Sequence, residues 1–220
     1  MGQVVFLIFY FILRLIFSKE FKLTFSKFIS LAFESLIGFG ISAVIVLPSV
    51  LMVLGNPRVG ASRFLLGWRM VYYGYGYQYL SILESLFFVP DIPARPNFFP
   101  LTTDKWSSLS AYLPLFSMAG VITFFAKKKK HWIKPLLLIC AFCALVPFLN
   151  SMFQLFNSVY YARWFYMPVL IMALATAIVI DQNGFDLKFG IGATAFMTIA
   201  FSVIGLLPSY AKDANGDTTE

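Results

Sequence analysis

The sequence predicts an all-α integral membrane protein with about six transmembrane helices and one long outer loop that contains an amphipathic helix. The 220 residues are 60% hydrophobic and 12% charged, and the mean hydropathy is +0.80. Soluble domains carry roughly 25% charged residues. The composition therefore excludes a water-soluble enzyme and a disordered chain, and two cysteines cannot build a disulfide framework.

Six apolar runs are candidates for membrane-crossing helices. A bilayer core about 30 Å thick needs roughly 20 apolar residues per helix. Backbone groups in hydrocarbon must be hydrogen-bonded within the protein, which favours helices. The predicted spans are 2–17, 28–54, 111–126, 135–149, 164–180 and 189–207. The first, third and fourth are short for complete spans.

These runs divide the chain into four parts. Residues 1–54 hold two predicted helices, 55–110 form the long loop, 111–207 hold four helices, and 208–220 form a polar tail. The first apolar run begins directly after Met1 with no basic segment or cleavage site, so no signal peptide is evident. We expect an internal piece of a longer polytopic protein.

Basic residues predict the orientation of the chain. Nine lysines lie in the short segments 18–27, 127–134 and 181–188, whereas five of the six arginines lie in 55–110 and 150–163. Short loops rich in Lys and Arg remain cytoplasmic. The lysine segments are therefore predicted to be cytoplasmic and the loop 55–110 extracytoplasmic. The net charge of +7 then reflects topology and contact with anionic lipids rather than nucleic-acid binding.

The long loop and the start of the fifth span carry the residues most easily connected with chemistry. Guanidinium groups bind phosphate oxygens in a bidentate way and are weakly hydrated. The outer arginines and neighbouring aromatic side chains therefore predict a site for a lipid-linked phosphate or pyrophosphate. The candidate substrate-binding residues are Arg58, Arg63, Arg69, Arg163, Tyr73 and Tyr75.

The same residue types also anchor helices at the membrane surface, and this alternative stays open. Arg, Trp and Tyr are common at the membrane–water interface, and Arg163 could simply reach the headgroups. The stretch 80–88 is predicted to be an amphipathic helix at this interface. Its apolar face would comprise Leu80, Leu83, Leu86 and Phe87.

Three acidic residues are candidates for a catalytic role. Glu34 lies inside an apolar span, where a carboxylate is costly and is a functional candidate by default. The alternative is that Lys27 or the cytoplasmic interface lies within its reach. Asp91 and Asp104 lie in the long loop. No pattern indicates a metal site or a cofactor, and the pair Cys140 and Cys143 is interpreted as apolar filling within a helix.

Three motifs together resemble the bacterial YfhO family of polytopic membrane proteins. A small-residue run at 38–48 ends in Leu-Pro before an arginine-containing loop, and a lysine-rich turn comes later. The segments 148–157 and 161–166 then open another helix. The resemblance covers about residues 1–185 and would correspond to the middle of a longer family member.

The resemblance implies a membrane glycosyltransferase of the GT-C type, this chain being part of a larger GT-C-like helix bundle. Such an enzyme would transfer a sugar from a polyprenyl-phosphate donor to a cell-envelope polymer, such as lipoteichoic acid, on the outer face. GT-C enzymes carry a catalytic acid in the loop after their first helix. We expect that acid to be missing from this chain, and Asp91 and Asp104 cannot be assumed to replace it.

Two other functions remain open from the sequence. A lipid or polymer transporter, or flippase, would use the same basic cavity without forming a bond, and Glu34 would then matter as an intramembrane proton or cation site. A non-catalytic assembly subunit would use the aromatic loop to bind a partner. In every case the expected contacts are membrane lipids and the remaining helices of a longer chain, not nucleic acid.

Overall fold

The computed structural model is helical almost throughout the residues that it describes. These are 2–18, 22–54, 67–74, 76–88, 111, 117–128, 130–154, 156, 160, 162–181, 186–206, 211–212 and 218–219. The helices are α1 Gly2–Phe17, α2 Phe25–Leu54, α3 Tyr77–Glu84, α4 Ser117–Lys127, α5 Ile133–Leu145, α6 Pro147–Met152, α7 Tyr166–Asp181 and α8 Lys188–Leu206. Two 3-10 turns, Gly67–Met70 and Arg163–Phe165, and a two-residue strand pair, Ala211–Lys212 with Thr218–Thr219, complete the described elements.

Three described helices are long and apolar enough to cross a membrane. They are Phe25–Met52, Arg163–Asp181 and Lys188–Leu206. The apolar helices Gly2–Phe17, Met118–Lys127 and Ile133–Leu145 are shorter. The prediction of a helical membrane protein is therefore confirmed, whereas the prediction of six complete spans stays a prediction.

The predicted span 135–149 is two helices in the structure, because the chain turns at Val146. Its φ and ψ are −108° and 115°, which is extended backbone. Pro147 follows as the first residue of α6. Proline disfavours a helical conformation in the preceding residue and lacks an N–H for the ladder. A helix therefore ends before Pro147 and a new one begins with it.

Helix α4 lies at the centre of the bundle, packed against α7 and α8. The contacts depend on residues with little or no side chain. A Cβ added at Gly120 would lie 2.6 Å from Thr176 Oγ1 on α7. A Cβ at Gly190 of α8 would collide with the backbone oxygen of Ala119 and with Thr123 Oγ1 on α4. Such close approach through small residues is typical of helix packing in membranes.

One end of the bundle carries the described lysines of the α4–α5 turn. Lys134 Nζ donates a 2.6 Å hydrogen bond to the Phe125 carbonyl in the last turn of α4, which the helix itself leaves unpaired. Arg14, near the end of α1, lies over the Trp132 ring at 4.7 Å. Burial, Lys128 and Arg14 lower the pKa of His131. We call this the lysine end.

Helix α2 differs from the other long helices because none of its residues from Phe25 to Met52 is buried. None of its membrane-length window is buried within the structure. Its side chains from Phe25 to Met52 include apolar groups that are up to 81% exposed. A helix of this composition is stable only in hydrocarbon or against other apolar helices.

Helix α3 turns its polar side inward. Leu80 and Leu83 are each 39% exposed. The buried polar residues of this segment are Gln78, Ser81, Glu84 and Ser85, none more than 7% exposed. Of the four residues of the predicted apolar face, Leu80 and Leu83 are exposed, whereas Leu86 and Phe87 lie after the end of α3 and are partly buried. In a membrane, polar groups need partners within the protein, whereas leucines are stable against lipid.

Candidate functional site

Five of the predicted site residues lie outside the part of the chain that the structure describes. These are Arg58, Arg63, Tyr75, Asp91 and Asp104. The roles predicted for them therefore stay predictions. The other four, Glu34, Arg69, Tyr73 and Arg163, are described.

Arg69 and Arg163 share the end of the bundle opposite to the lysine end. Arg69 lies in the 3-10 turn Gly67–Met70, and Arg163 begins the 3-10 turn that leads into α7. Both side chains are exposed. The first turn begins at Gly67 with a φ of +63°, a conformation that glycine adopts without strain.

A cluster of aromatic rings connects the two arginine-bearing turns. Tyr73 contacts both Tyr79 and Tyr160, with ring centroids 5.4 Å apart in each case. Tyr160 contacts Phe165 at 6.5 Å. Because Tyr73 follows the first turn and Phe165 belongs to the second, these contacts hold the two turns at one end of the bundle. We call this the arginine end.

Tyr73, predicted to bind substrate, lies in the core of this cluster. It is 5% exposed, and its hydroxyl donates a 2.7 Å hydrogen bond to the Ala144 carbonyl. That carbonyl lies in the last turn of α5, where a helix leaves four acceptors unpaired. The Tyr79 hydroxyl in turn accepts a 3.1 Å bond from the Tyr73 N–H. Tyr73 therefore caps α5 and fixes the first arginine turn against it.

We expect Tyr73→Phe to lower the free energy of unfolding by about 1–2 kcal/mol, because it leaves a buried carbonyl without its donor. Reversible unfolding in mixed detergent micelles with increasing SDS measures this change. The matched control is Tyr72→Phe, since Tyr72 is 49% exposed and should change stability by less than about 0.5 kcal/mol. Equal stability of the two variants would contradict the capping role.

Trp164 extends the cluster from the second arginine turn to α1. Its ring stacks on Phe153 with centroids 4.0 Å apart and planes 6° apart, and Phe153 also contacts Phe9 at 6.4 Å. Trp164 is 3% exposed. Its indole nitrogen is buried and has no hydrogen-bond partner among the described residues.

An apolar cavity of about 260 Å³ lies directly beside this cluster. Its walls come from α3, α4, α5 and α7, and include Ile82, Met118, Leu137, Trp164, Phe165 and Met172. Arg163 immediately precedes two of these wall residues. An exposed cation therefore adjoins a hydrocarbon-lined space at the arginine end.

Comparison with protein-family models matches residues 3–215 to the family described as bacterial membrane protein YfhO. The chain belongs to the YfhO family. The match covers nearly the whole sequence, and it confirms the resemblance inferred from the motifs between residues 38 and 166. Neither the curated proteins nor the solved structures gave a match.

The structure of this YfhO-family chain adds a buried acid that the sequence interpretation missed. Of the four acidic residues within the described ranges, Glu84 is buried and Glu34, Asp181 and Asp186 are exposed. A signal was present in the sequence, because Gln78, Ser81 and Ser85 recur at spacings of three and four. In a membrane chain such a polar stripe indicates the side turned toward protein.

Glu34 lies on the exposed helix α2 and is itself exposed. The Ser30 hydroxyl donates a 3.4 Å hydrogen bond to its carboxylate from one turn earlier. No group of three or more His, Cys, Asp and Glu side chains that could hold a metal occurs among the described residues. The structure of the YfhO-family chain therefore brings together two arginine-bearing turns, aromatic rings and an apolar cavity, and Glu34 does not line that cavity.

Proposed function

We propose that this chain is part of a membrane-embedded glycosyltransferase of the GT-C type. The proposed reaction transfers a sugar from a polyprenyl-phosphate donor to a cell-envelope polymer, such as lipoteichoic acid, on the outer face of the membrane. The observation that carries the proposal is the arginine end, where the turns of exposed Arg69 and Arg163 are connected by the aromatic cluster and Arg163 directly precedes two residues of an apolar cavity wall. Membership of the YfhO family agrees with it.

The arrangement suits a ligand with a charged head and a hydrocarbon body. Arginine binds phosphate through two parallel N–H donors and retains its charge at any accessible pH. The walls of the adjacent cavity consist of Leu, Ile, Met and aromatic side chains, which suit a hydrocarbon chain. The arginines alone would not distinguish a lipid phosphate from a free anion. The cavity alone would not distinguish it from an ordinary lipid tail.

The proposed chemistry is displacement at the anomeric carbon of the donor sugar. A carboxylate accepts the proton of the attacking hydroxyl while cations stabilise the departing phosphate. Arg69 and Arg163 supply the cations in this proposal, together with Arg58 and Arg63, which belong to the same predicted loop as Arg69. The carboxylate is not assigned to any residue of this chain.

We expect Arg69→Gln and Arg163→Gln each to reduce kcat/KM for polyprenyl-phosphate sugar transfer about tenfold, the loss of roughly 1.4 kcal/mol of charge-assisted hydrogen bonding. Lysine at either position should restore only part of this, because it lacks the bidentate geometry. The assay uses the complete protein in proteoliposomes with labelled donor. Lys130→Gln is the matched control, since it removes an exposed charge at the opposite end.

Retention of full transfer by the double variant Arg69→Gln, Arg163→Gln would rule out these arginines as phosphate ligands. Movement of the donor lipid across the membrane without formation of a glycosidic bond would instead establish the transporter function. Binding of neither donor nor product would leave the assembly-subunit function.

A further inference from the structure

Three parts of the chain bring basic side chains together at the lysine end. Arg14 comes from α1, Lys128 directly follows α4, and His131 lies in the turn before α5. All three are half-buried, whereas the neighbouring Lys127 is exposed. The fold therefore places these side chains in a partly enclosed position, unlike lysines on an open surface. We call Arg14, Lys128 and His131 the cationic cluster.

Aromatic contacts hold the cationic cluster in place. The Arg14 guanidinium lies 4.7 Å from the centre of the Trp132 ring, and the His131 and Trp132 rings are 5.6 Å apart. The His131 ring also packs edge-on against Phe124 of α4, with centroids 5.2 Å apart. Cation–π attraction positions a guanidinium without using its N–H donors. The cluster is thus arranged before any ligand binds.

The electrostatics of the cluster favour an anion. Burial lowers the pKa of His131, and the positive charges of Lys128 and Arg14 lower it further. Both charges that act on the imidazole are therefore positive. Like charges that are brought together in a partly buried position repel one another and are stabilised by an opposite charge. Lys134 is directed elsewhere, since its Nζ is bonded to the Phe125 carbonyl.

His131 offers the cluster a hydrogen-bond donor as well as a charge. Its Nδ1 accepts a 3.3 Å hydrogen bond from the Ile133 N–H. The proton of the neutral imidazole is thereby assigned to Nε2. Within the described part of the chain, Nε2 has no hydrogen-bond partner. Phosphate oxygens accept hydrogen bonds from both imidazole and guanidinium groups, so one phosphate suits His131 and Arg14 together.

The surroundings of the cluster favour a membrane lipid as the source of that phosphate. Tryptophan is typical of the membrane–water interface, and basic pockets between membrane helices bind lipid head groups. Beside Arg14, the α1 side chains Ile12, Ile16 and Phe17 are 47%, 67% and 55% exposed. An acyl chain of the lipid would contact these side chains while its head group contacts the cluster.

We propose that the cationic cluster binds the phosphate group of one anionic membrane lipid. The diffuse attraction expected from the lysine-rich segments needs no particular geometry, whereas this site needs donors from three parts of the fold. Arg14 and His131, which lie in the first helix and before α5, then have a role that net charge alone does not assign. The site lies at the end opposite to the arginine end and does not depend on sugar transfer.

The test uses His131, the single histidine of the sequence, as its own reporter. NMR of the full chain with labelled histidine in nanodiscs measures the pKa of His131 in phosphatidylcholine and in mixtures with phosphatidylglycerol. A bound phosphate should raise this pKa by at least about 1, because a nearby opposite charge favours the protonated imidazole. An anionic surface without a site concentrates protons and raises it by only about 0.5.

Two variants distinguish the site from the surface. Arg14→Gln should reduce the rise caused by phosphatidylglycerol to about 0.5. Lys127→Gln is the matched control, since it removes an exposed charge from the same end and should leave the rise unchanged. The two lipid compositions are compared within each variant, because loss of Arg14 also removes a charge that lowers the pKa of His131. Lys128→Gln should also reduce the rise and decides the outcome if Arg14→Gln fails to fold.

A rise that is the same in the wild type and in both cluster variants would overturn the proposal, and so would the absence of any rise above about 0.5. An equal reduction by Lys127→Gln would show diffuse attraction instead of a site. A third arm adds inorganic phosphate to phosphatidylcholine nanodiscs. An equal rise there would show that the site accepts a soluble anion, which would overturn the assignment to a lipid.

Discussion

Gly190→Ala should lower the free energy of unfolding by about 3 kcal/mol, the upper part of the usual range for an overpacked core. The added Cβ would collide with the Ala119 carbonyl and the Thr123 hydroxyl of α4. The carbonyl belongs to the helix backbone, so it cannot move without displacing α4 from α8. The midpoint of SDS-induced unfolding in mixed micelles measures the loss.

The control lies on the same helix, half a turn away. Gly192 is exposed and a Cβ there would have nothing within 4 Å. Alanine is the better helix former by roughly 1 kcal/mol, so Gly192→Ala should stabilise the protein or leave it unchanged. The same methyl group thus has opposite effects at two positions, and equal effects would mean that α8 does not pack on α4 as described.

Trp164→Ala should destabilise the protein by about 3–5 kcal/mol, as expected for truncating a buried tryptophan. The substitution removes the ring that stacks on Phe153 at 4.0 Å and enlarges a cavity that is already present. The same unfolding measurement applies. Trp68→Ala is the matched control, because Trp68 is 76% exposed and should change stability by less than about 0.5 kcal/mol.

Trp164→Phe distinguishes the contribution of the aromatic ring to stability from that of the indole nitrogen. Phenylalanine retains an aromatic face for Phe153 and removes a buried N–H that has no partner within the described residues. Loss of the ring atoms destabilises the protein, whereas removal of the unpaired donor stabilises it. The net decrease in the free energy of unfolding should therefore be about 1 kcal/mol or less. A cost as large as that of Trp164→Ala would show that the indole nitrogen is bonded.

Helix positions were largely predictable from the apolar runs. The predicted span 2–17 is α1, and the predicted span 189–207 differs from α8, Lys188–Leu206, by one residue at each end. In hydrocarbon, apolar composition almost dictates helix, so little further information is needed. The prediction of one continuous helix over 135–149 was wrong, because Pro147 ends α5 at the preceding residue and begins α6.

The neighbours of each helix were less predictable. A glycine such as Gly190 allows close approach without indicating which helix approaches. The orientation of α3 could not be predicted, because an amphipathic pattern does not indicate whether the apolar face contacts lipid or protein. Arg69 and Arg163 were proposed from residue type alone, and the contact of Tyr73 with Tyr160 was needed to show that their turns lie at one end of the bundle.

The aromatic contacts of α1 also constrain the order in which the molecule can assemble. The N-terminal half of α1 meets Phe153 and Trp164, and Tyr10 meets Trp132 with ring centroids 5.4 Å apart. These partners are synthesised only after α2, α3 and α4. Helix α1 can therefore complete these contacts only after the second half of the described chain has been synthesised. The arginine end is thus completed by contacts between helices that are far apart in the sequence.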